Sequence, residues 1–227
     1  MSGTVEQKEQ LVRCIRMLER SGIMDYNGHA SIRLDGDRML INIGSCQRSR
    51  LTVDDIVTID FDGKVLEGEG NPPLEFHLHA GVYKARPDVE AAIHCHPKWS
   101  TVLSTAGAKY LPVYAQGSLV YPLPVLDSPN SINNVKMATA LTNVLGDRPA
   151  ALMKAHGAVT TGKTIVDAFV LLNYLEENAE RQYLSQQIGE PYAFNQEELA
   201  MCREKLFTPS LFKRTWDHFS AKFDDGR

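Results

Sequence analysis

Six of the seven histidines in this 227-residue chain fall between His29 and His156, and neutral imidazole is well suited to holding a divalent metal ion near neutral pH. In Ile-His-Cys-His-Pro, His94 and His96 lie two residues apart at the end of an apolar run. A strand there projects both rings from one face, close enough to chelate a single ion. His156 is a third candidate, because it follows a short apolar run in Ala-His-Gly-Ala-Val and precedes Gly157, which lets the backbone turn sharply. Three neutral imidazoles leave the full charge of a bound ion available as a Lewis acid. Such a donor set suits zinc, manganese, cobalt or iron, with zinc slightly favoured.

Glu75 follows Asn71-Pro72-Pro73 and Leu74 at the start of a segment of helical character. A carboxylate is favoured at a helix N-terminus whatever its chemistry. The functional reading makes Glu75 the fourth ligand of a resting site, displaced when a substrate chelates the ion and then acting as acid or base. Glu75, His77 and His79 would form a rival metal site if their segment were a strand, since all three would face together. On a helix only Glu75 and His79 share a face. The stretch continues through His79-Ala80-Gly81-Val82-Tyr83 without β alternation, so a helix is expected, with His77 in packing or on the surface and His79 beneath Glu75.

The elements that must position these residues can be outlined from periodicity. Residues 5–20 have helical spacing and stop at Ser21-Gly22. From Asn27 to Leu66, short apolar runs broken by Asp35-Gly36 and Asp62-Gly63 indicate antiparallel hairpins. Residues 74–86 suit a helix ended by Arg86-Pro87, and residues 90–96 a short buried strand. Residues 107–130, rich in glycine, proline and tyrosine, read as a long irregular loop with at most one strand, and loops of that length are often functional. A helix over 131–145, two short strands over 150–162, a strong helix over 164–188 and a helical C-terminus complete the outline. No internal repeat or linker interrupts it, so residues 1–227 are expected to form a single domain of α/β class, helices packed around a mainly antiparallel sheet.

Composition narrows the function. A hydrophobic content of 43% supports a full core, and a formal net charge of -4 offers no attraction for nucleic acid or an anionic membrane. No run approaches the roughly 18 apolar residues of a membrane span, and the polar N-terminus is unlike a signal peptide, so a cytoplasmic location is expected. Cys14, Cys46, Cys95 and Cys202 lack CxxC spacing and read as free thiols.

Taken together and in order, Asn-Gly-His-Ala-Ser-Ile-Arg-Leu, Leu-Thr-Val-Asp-Asp-Ile-Val-Thr-Ile-Asp-Phe-Asp-Gly, the Pro-x-Glu stretch ending in His-Ala-Gly-Val-Tyr-Lys-Ala-Arg-Pro-Asp-Val, Ile-His-Cys-His-Pro and Ala-His-Gly-Ala-Val resemble the class II aldolase/adducin family. The resemblance runs from about Leu11 to Tyr183. It implies a three-layer α/β/α fold around an antiparallel sheet, and a divalent metal on His94, His96 and His156 with Glu75 as acidic ligand and acid/base residue. It also implies a homo-oligomer, most often a fourfold-symmetric tetramer, with active sites at subunit interfaces. The family's adducin branch keeps the fold without catalysis, but here the metal set is complete.

Substrate expectations come from departures. Where aldolases of the family grip phosphate with a Gly-Asn, a Thr-Gly and a Ser-Ser pair, this chain has Gly28-His29, Gly44-Ser45 and Pro73-Leu74. The last replacement removes two hydroxyls and one backbone N–H. His29 and Ser45, with Arg48 or Arg50, are then candidate donors to a carboxylate, although both arginines also suit a solvated loop. Leu74 and aromatic residues of 107–130 would form an apolar wall. The pattern looks like the decarboxylase branch, whose members act on non-phosphorylated acids including hydroxylated aromatic or pyridine carboxylates: such an acid would lose carbon dioxide through a metal-stabilised enolate or phenolate. The rivals are retro-aldol cleavage, 4-epimerisation and a non-catalytic scaffold.

Overall fold

A computed structural model describes residues 2–226. Eight strands form one sheet: β1 (His29–Leu34), β2 (Arg38–Asn42), β3 (Ile56–Asp60), β4 (Val65–Glu67), β5 (Ala91–Cys95), β6 (Val125–Leu126), β7 (Ala150–Met153) and β8 (Gly157–Gly162). Their spatial order is β4-β3-β2-β1-β5-β8-β7-β6, and every pairing is antiparallel except β6 with β7. Seven helices accompany it: α1 (Ser2–Arg20), α2 (Phe76–Ala85), α3 (Lys98–Thr105), α4 (Val135–Leu145), α5 (Ile165–Gln186), α6 (Gln196–Leu206) and α7 (Pro209–Asp224).

Strand alternation divides the core in two. Ala30, Ile32, Leu40 and Ile93 face Leu11 and Ile15 of α1 and Phe169 and Leu172 of α5. Met39, Ile41, Val57, Ala92 and Val159 face Leu78 and Tyr83 of α2 and Leu141 and Leu145 of α4. The result is the expected α/β/α sandwich, its central strands buried on both faces and its edge strands β4 and β6 partly exposed. On the α2 face, helices approach closely at Gly81, where a Cβ would stand 2.8 Å from that of Ala138.

Local chemistry sets the boundaries. The β1–β2 turn places Gly36 and Asp37 at φ 68° and 48°, and the β3–β4 turn places Gly63 at φ 90°. Those are left-handed positions that glycine, and to a lesser degree aspartate, occupies at low cost. Helix α4 begins later than the spacing suggests, because the Asn134 side chain accepts from the Met137 N–H and caps it there. The 107–130 segment contains a one-turn helix over Ala115–Leu119 and the two-residue β6. Asn178 and Gln182 of α5 hold it down, bonding the backbone at Lys109, Leu111, Val113 and Tyr114. Among the described residues, no helix is long and apolar enough to cross a membrane.

Candidate metal centre

His94 is the penultimate residue of β5, on the α2 face, and His96 follows one residue beyond the strand with the same parity. Their rings lie 5.1 Å apart between centroids, and His156 is equally 5.1 Å from each. His156 comes from the turn between β7 and β8. There the left-handed residue is Ala155, at φ 53°, held by a hydrogen bond from its N–H to Ser104 Oγ. Gly157, expected to supply the sharp turn, has another role: a Cβ on it would lie 2.3 Å from the Cys95 carbonyl oxygen. The missing side chain lets β8 close against β5 and brings His156 over His94 and His96.

Glu75 is the N-cap residue of α2, so the segment is a helix and the rival site does not form. His77 turns away and stacks on Phe76 at 4.0 Å. Glu75, His94, His96 and His156 each offer a ligand atom, all within 4.8 Å of one another, and this group could hold a metal ion.

The ring nitrogens show how. His94 Nδ1 is 3.0 Å from the Ala158 carbonyl oxygen, an acceptor only, so Nδ1 carries the proton and Nε2 keeps its lone pair. His96 Nδ1 is 2.9 Å from Asp25 Oδ2, with the same consequence. Both Nε2 atoms are buried without a hydrogen-bond partner. Unpartnered acceptors converging beside a carboxylate fit a cation, and the carbonyl and Asp25 are the outer partners that fix such imidazoles.

The Glu75 carboxylate lies 3.5 Å from His94 Nε2 and 3.8 Å from His156 Nε2, and its Oε1 accepts the Ile132 N–H at 2.7 Å. Burial alone would raise its pKa, but the facing His29 and His94 imidazoles outweigh it and hold the carboxyl well below the usual carboxylate range. Glu75 is therefore ionised. His29 is pushed down to about 4, mainly by burial, and burial likewise lowers His156. Both are neutral at pH 7.

The cluster floors a cleft of about 620 Å³ lined by Tyr26, His29, Gly44, Pro73, Leu74 and Ser131 among others. Of the expected substrate contacts, His29 and Leu74 line it, Leu74 with 80% of its surface exposed. Gly28 is buried and contributes its carbonyl to Arg48, while Ser45 is exposed and its neighbour Gly44 lines the cleft instead. Among the described residues, no aromatic side chain of 107–130 lines the cleft: Tyr110 is buried and Tyr121 faces a separate depression. Tyr110 is drawn into the core, half-buried Tyr114 lies under Arg181 of α5, and Tyr26 is the aromatic at the site.

Arg48 also departs from expectation. It is 3% exposed, with Nε and Nη1 bonded to the carbonyls of Gly28 and Cys46, whereas Arg50 is exposed as a loop residue should be. Arg48 lines the cleft and makes no ion pair among the described residues. Asp25 and Glu176 carry no sequence signal. Glu176 of α5 receives the Trp99 and Ser100 N–H groups, anchoring the start of α3 just after His96-Pro97. A groove of about 660 Å³ at the opposite end of the sheet contains no histidine.

Fold and site together place a group that could hold a metal ion at the floor of one cleft. The chain belongs to the class II aldolase and adducin N-terminal domain family, whose model matches residues 9–183. It is 27% identical over 181 residues to an L-fuculose phosphate aldolase of Methanocaldococcus jannaschii, covering 80% of this chain and 97% of that one. It is 28% identical over 181 residues to a 3,4-dihydroxyphthalate decarboxylase of Arthrobacter keyseri, covering 71% of each. Among solved structures, L-fuculose 1-phosphate aldolase from Glaciozyma antarctica PI12 superposes with a TM-score of 0.86 at 21% identity, covering 98% of this chain and 90% of that one. The chain thus falls in a family of lyase-type enzymes that act on small molecules.

Proposed function

We propose that this chain is a divalent-metal-dependent carbon–carbon lyase that decarboxylates a hydroxylated, non-phosphorylated carboxylic acid, aromatic acids being the favoured class. Its ligands are His94, His96 and His156, with Glu75 completing the resting set. The observation that carries the reading is the cleft wall beside the cluster. Pro73-Leu74 offers no hydroxyl where a phosphate would need one, and Arg48 supplies a buried cation without an acidic partner. A buried guanidinium left unpaired is costly, and a substrate carboxylate relieves that cost.

A bound divalent ion supplies Lewis-acid stabilisation of negative charge developing on oxygen beside the breaking bond. The protein moves the proton. Ionised Glu75 first accepts the proton of the substrate hydroxyl. The bond to the carboxylate carbon then breaks, carbon dioxide leaves, and the electron pair stays on the remaining carbon. Glu75 returns the proton to that carbon, regenerating its carboxylate. Leu74 and Tyr26, exposed at the rim, exclude water from the carbanion once covered, which fits a homotetramer whose neighbouring subunit closes the cleft. Zinc is the favoured ion, and four cysteines without disulfides fit the cytoplasm.

Retro-aldol cleavage is the second reading, supported by the relatives named as aldolases. Products separate the two. Zinc-loaded protein incubated with hydroxylated aromatic acids and, separately, with sugar phosphates should release carbon dioxide from the acids, and Arg48→Met should raise KM about 10–100-fold for them. Aldehyde released from the phosphates alone would sink the decarboxylase reading.

A further inference from the structure

A buried chain of polar groups runs from the cluster into the α2 face of the sheet. His29 Nδ1 lies 2.7 Å from His79 Nε2, His79 Nδ1 lies 2.5 Å from Ser31 Oγ, and Ser31 Oγ lies 2.6 Å from the Tyr83 hydroxyl. All four side chains are at most 1% exposed. At the near end, His29 Nε2 faces Glu75 Oε2 at 3.7 Å and has no hydrogen-bond partner.

The direction of the protons follows from the far end. The Tyr83 side chain is fully buried, so its phenolic proton must be accepted by a protein group. Among the described residues, Ser31 Oγ is the acceptor left for the phenolic proton. The reverse orientation would strand that proton in the interior and turn a lone pair of His29 Nε2 towards the Glu75 carboxylate, whereas this one turns an N–H towards it. Ser31 must then donate to His79 Nδ1, so His79 carries its proton on Nε2 and donates to His29 Nδ1.

The geometry points to His29 as a positioning residue locked in the Nε2–H tautomer by the Tyr83–Ser31–His79 chain, presenting a fixed donor to the Glu75 carboxylate and the cleft. His29 Nδ1 is consumed as an acceptor and Nε2 carries hydrogen. For all its closeness to His94, with ring centroids 4.9 Å apart, His29 is therefore a donor and not a fourth imidazole ligand. The N–H dipole, facing Glu75 Oε2 at 3.7 Å, favours Glu75 as an anion, a consequence that rests on the acid/base reading of Glu75.

Ring-nitrogen NMR shifts of zinc-loaded protein with ¹⁵N-labelled histidine test this without any substrate. His29 and His79 should each show protonated Nε2 and unprotonated Nδ1; a His29 protonated at Nδ1 overturns the inference. In kinetics, His79→Leu should lose the lock and lower kcat about 10–100-fold with KM and bound zinc near their original values. His79→Gln, which sets an amide donor near the former Nε2, should recover most of that loss. Equal defects in the two variants, both folded and zinc-loaded, would also overturn it. If no carbon dioxide forms from any acid but the tautomers are as stated, the decarboxylase reading fails and the lock stands.

Discussion

At His94 and His96 the decisive property is which ring nitrogen stays free. The Ala158 carbonyl and Asp25 each accept a hydrogen bond from an Nδ1–H, leaving both Nε2 lone pairs free within the cluster. This grading of roles predicts a grading of effects. His94→Ala removes a ligand and should abolish stoichiometric zinc and turnover together. Asp25→Asn keeps the ligands but loosens one ring, and should weaken zinc about 10–100-fold. Competition with a chelator measures both, and unchanged zinc content in His94→Ala would refute the ligand assignment. The His-x-His pair is legible because two residues on one strand share a face by geometry alone. Asp25 is not legible: it precedes His96 by 71 positions, and only the packing of the 21–28 turn against β5 joins them.

Among the elements, the β5–β8 pair decides how closely the ligands approach. With Gly157 filling the space beside the Cys95 carbonyl, the hairpin that carries His156 can lie flat on the strand that carries His94. Gly157→Ala should cost about 1–3 kcal/mol, because the obstructing atom is backbone and cannot rotate aside. Both Tm and zinc affinity should fall, since relief of the clash displaces Cys95 and the two histidines that flank it. A variant with wild-type Tm and zinc affinity would show that the hairpin has slack. Helix α2 was legible from its lack of alternation, and with it the separation of His77 from Glu75. The start of α4 was not, because it depends on which of several polar residues wins the cap, a contest between nearly equal side chains.

Across the whole molecule, the buried histidines make the metal-free fold sensitive to acid. His29 titrates near 4 when folded and near its ordinary value of 6.5 when unfolded. Its stability contribution is therefore present above 6.5 and lost as pH falls towards 4, where the unfolded chain binds the extra proton. From pH 7 to pH 5 this one group should remove about 2 kcal/mol. Glu75, held below its ordinary value, acts in the same sense at lower pH, its contribution present above 4.5 and lost on acidification. The urea midpoint of metal-free protein should drop clearly between pH 7 and pH 5, and an invariant midpoint would contradict the burial of a neutral His29.

The sequence by itself determined the α/β class, the order of most elements, the family and the four residues that converge as a possible metal centre. The class, the elements and the His94/His96 pair rest on local period, turn chemistry or same-face spacing, all properties of neighbouring residues, while the family and the full set of four came from the resemblance of its ordered motifs. Tertiary structure alone decided that Arg48 is buried in the cleft wall, that the 107–130 aromatics lie away from the cleft, and that His29 ends a four-residue hydrogen-bonded chain. These depend on which distant groups a folded backbone leaves without a partner, and no local pattern records that.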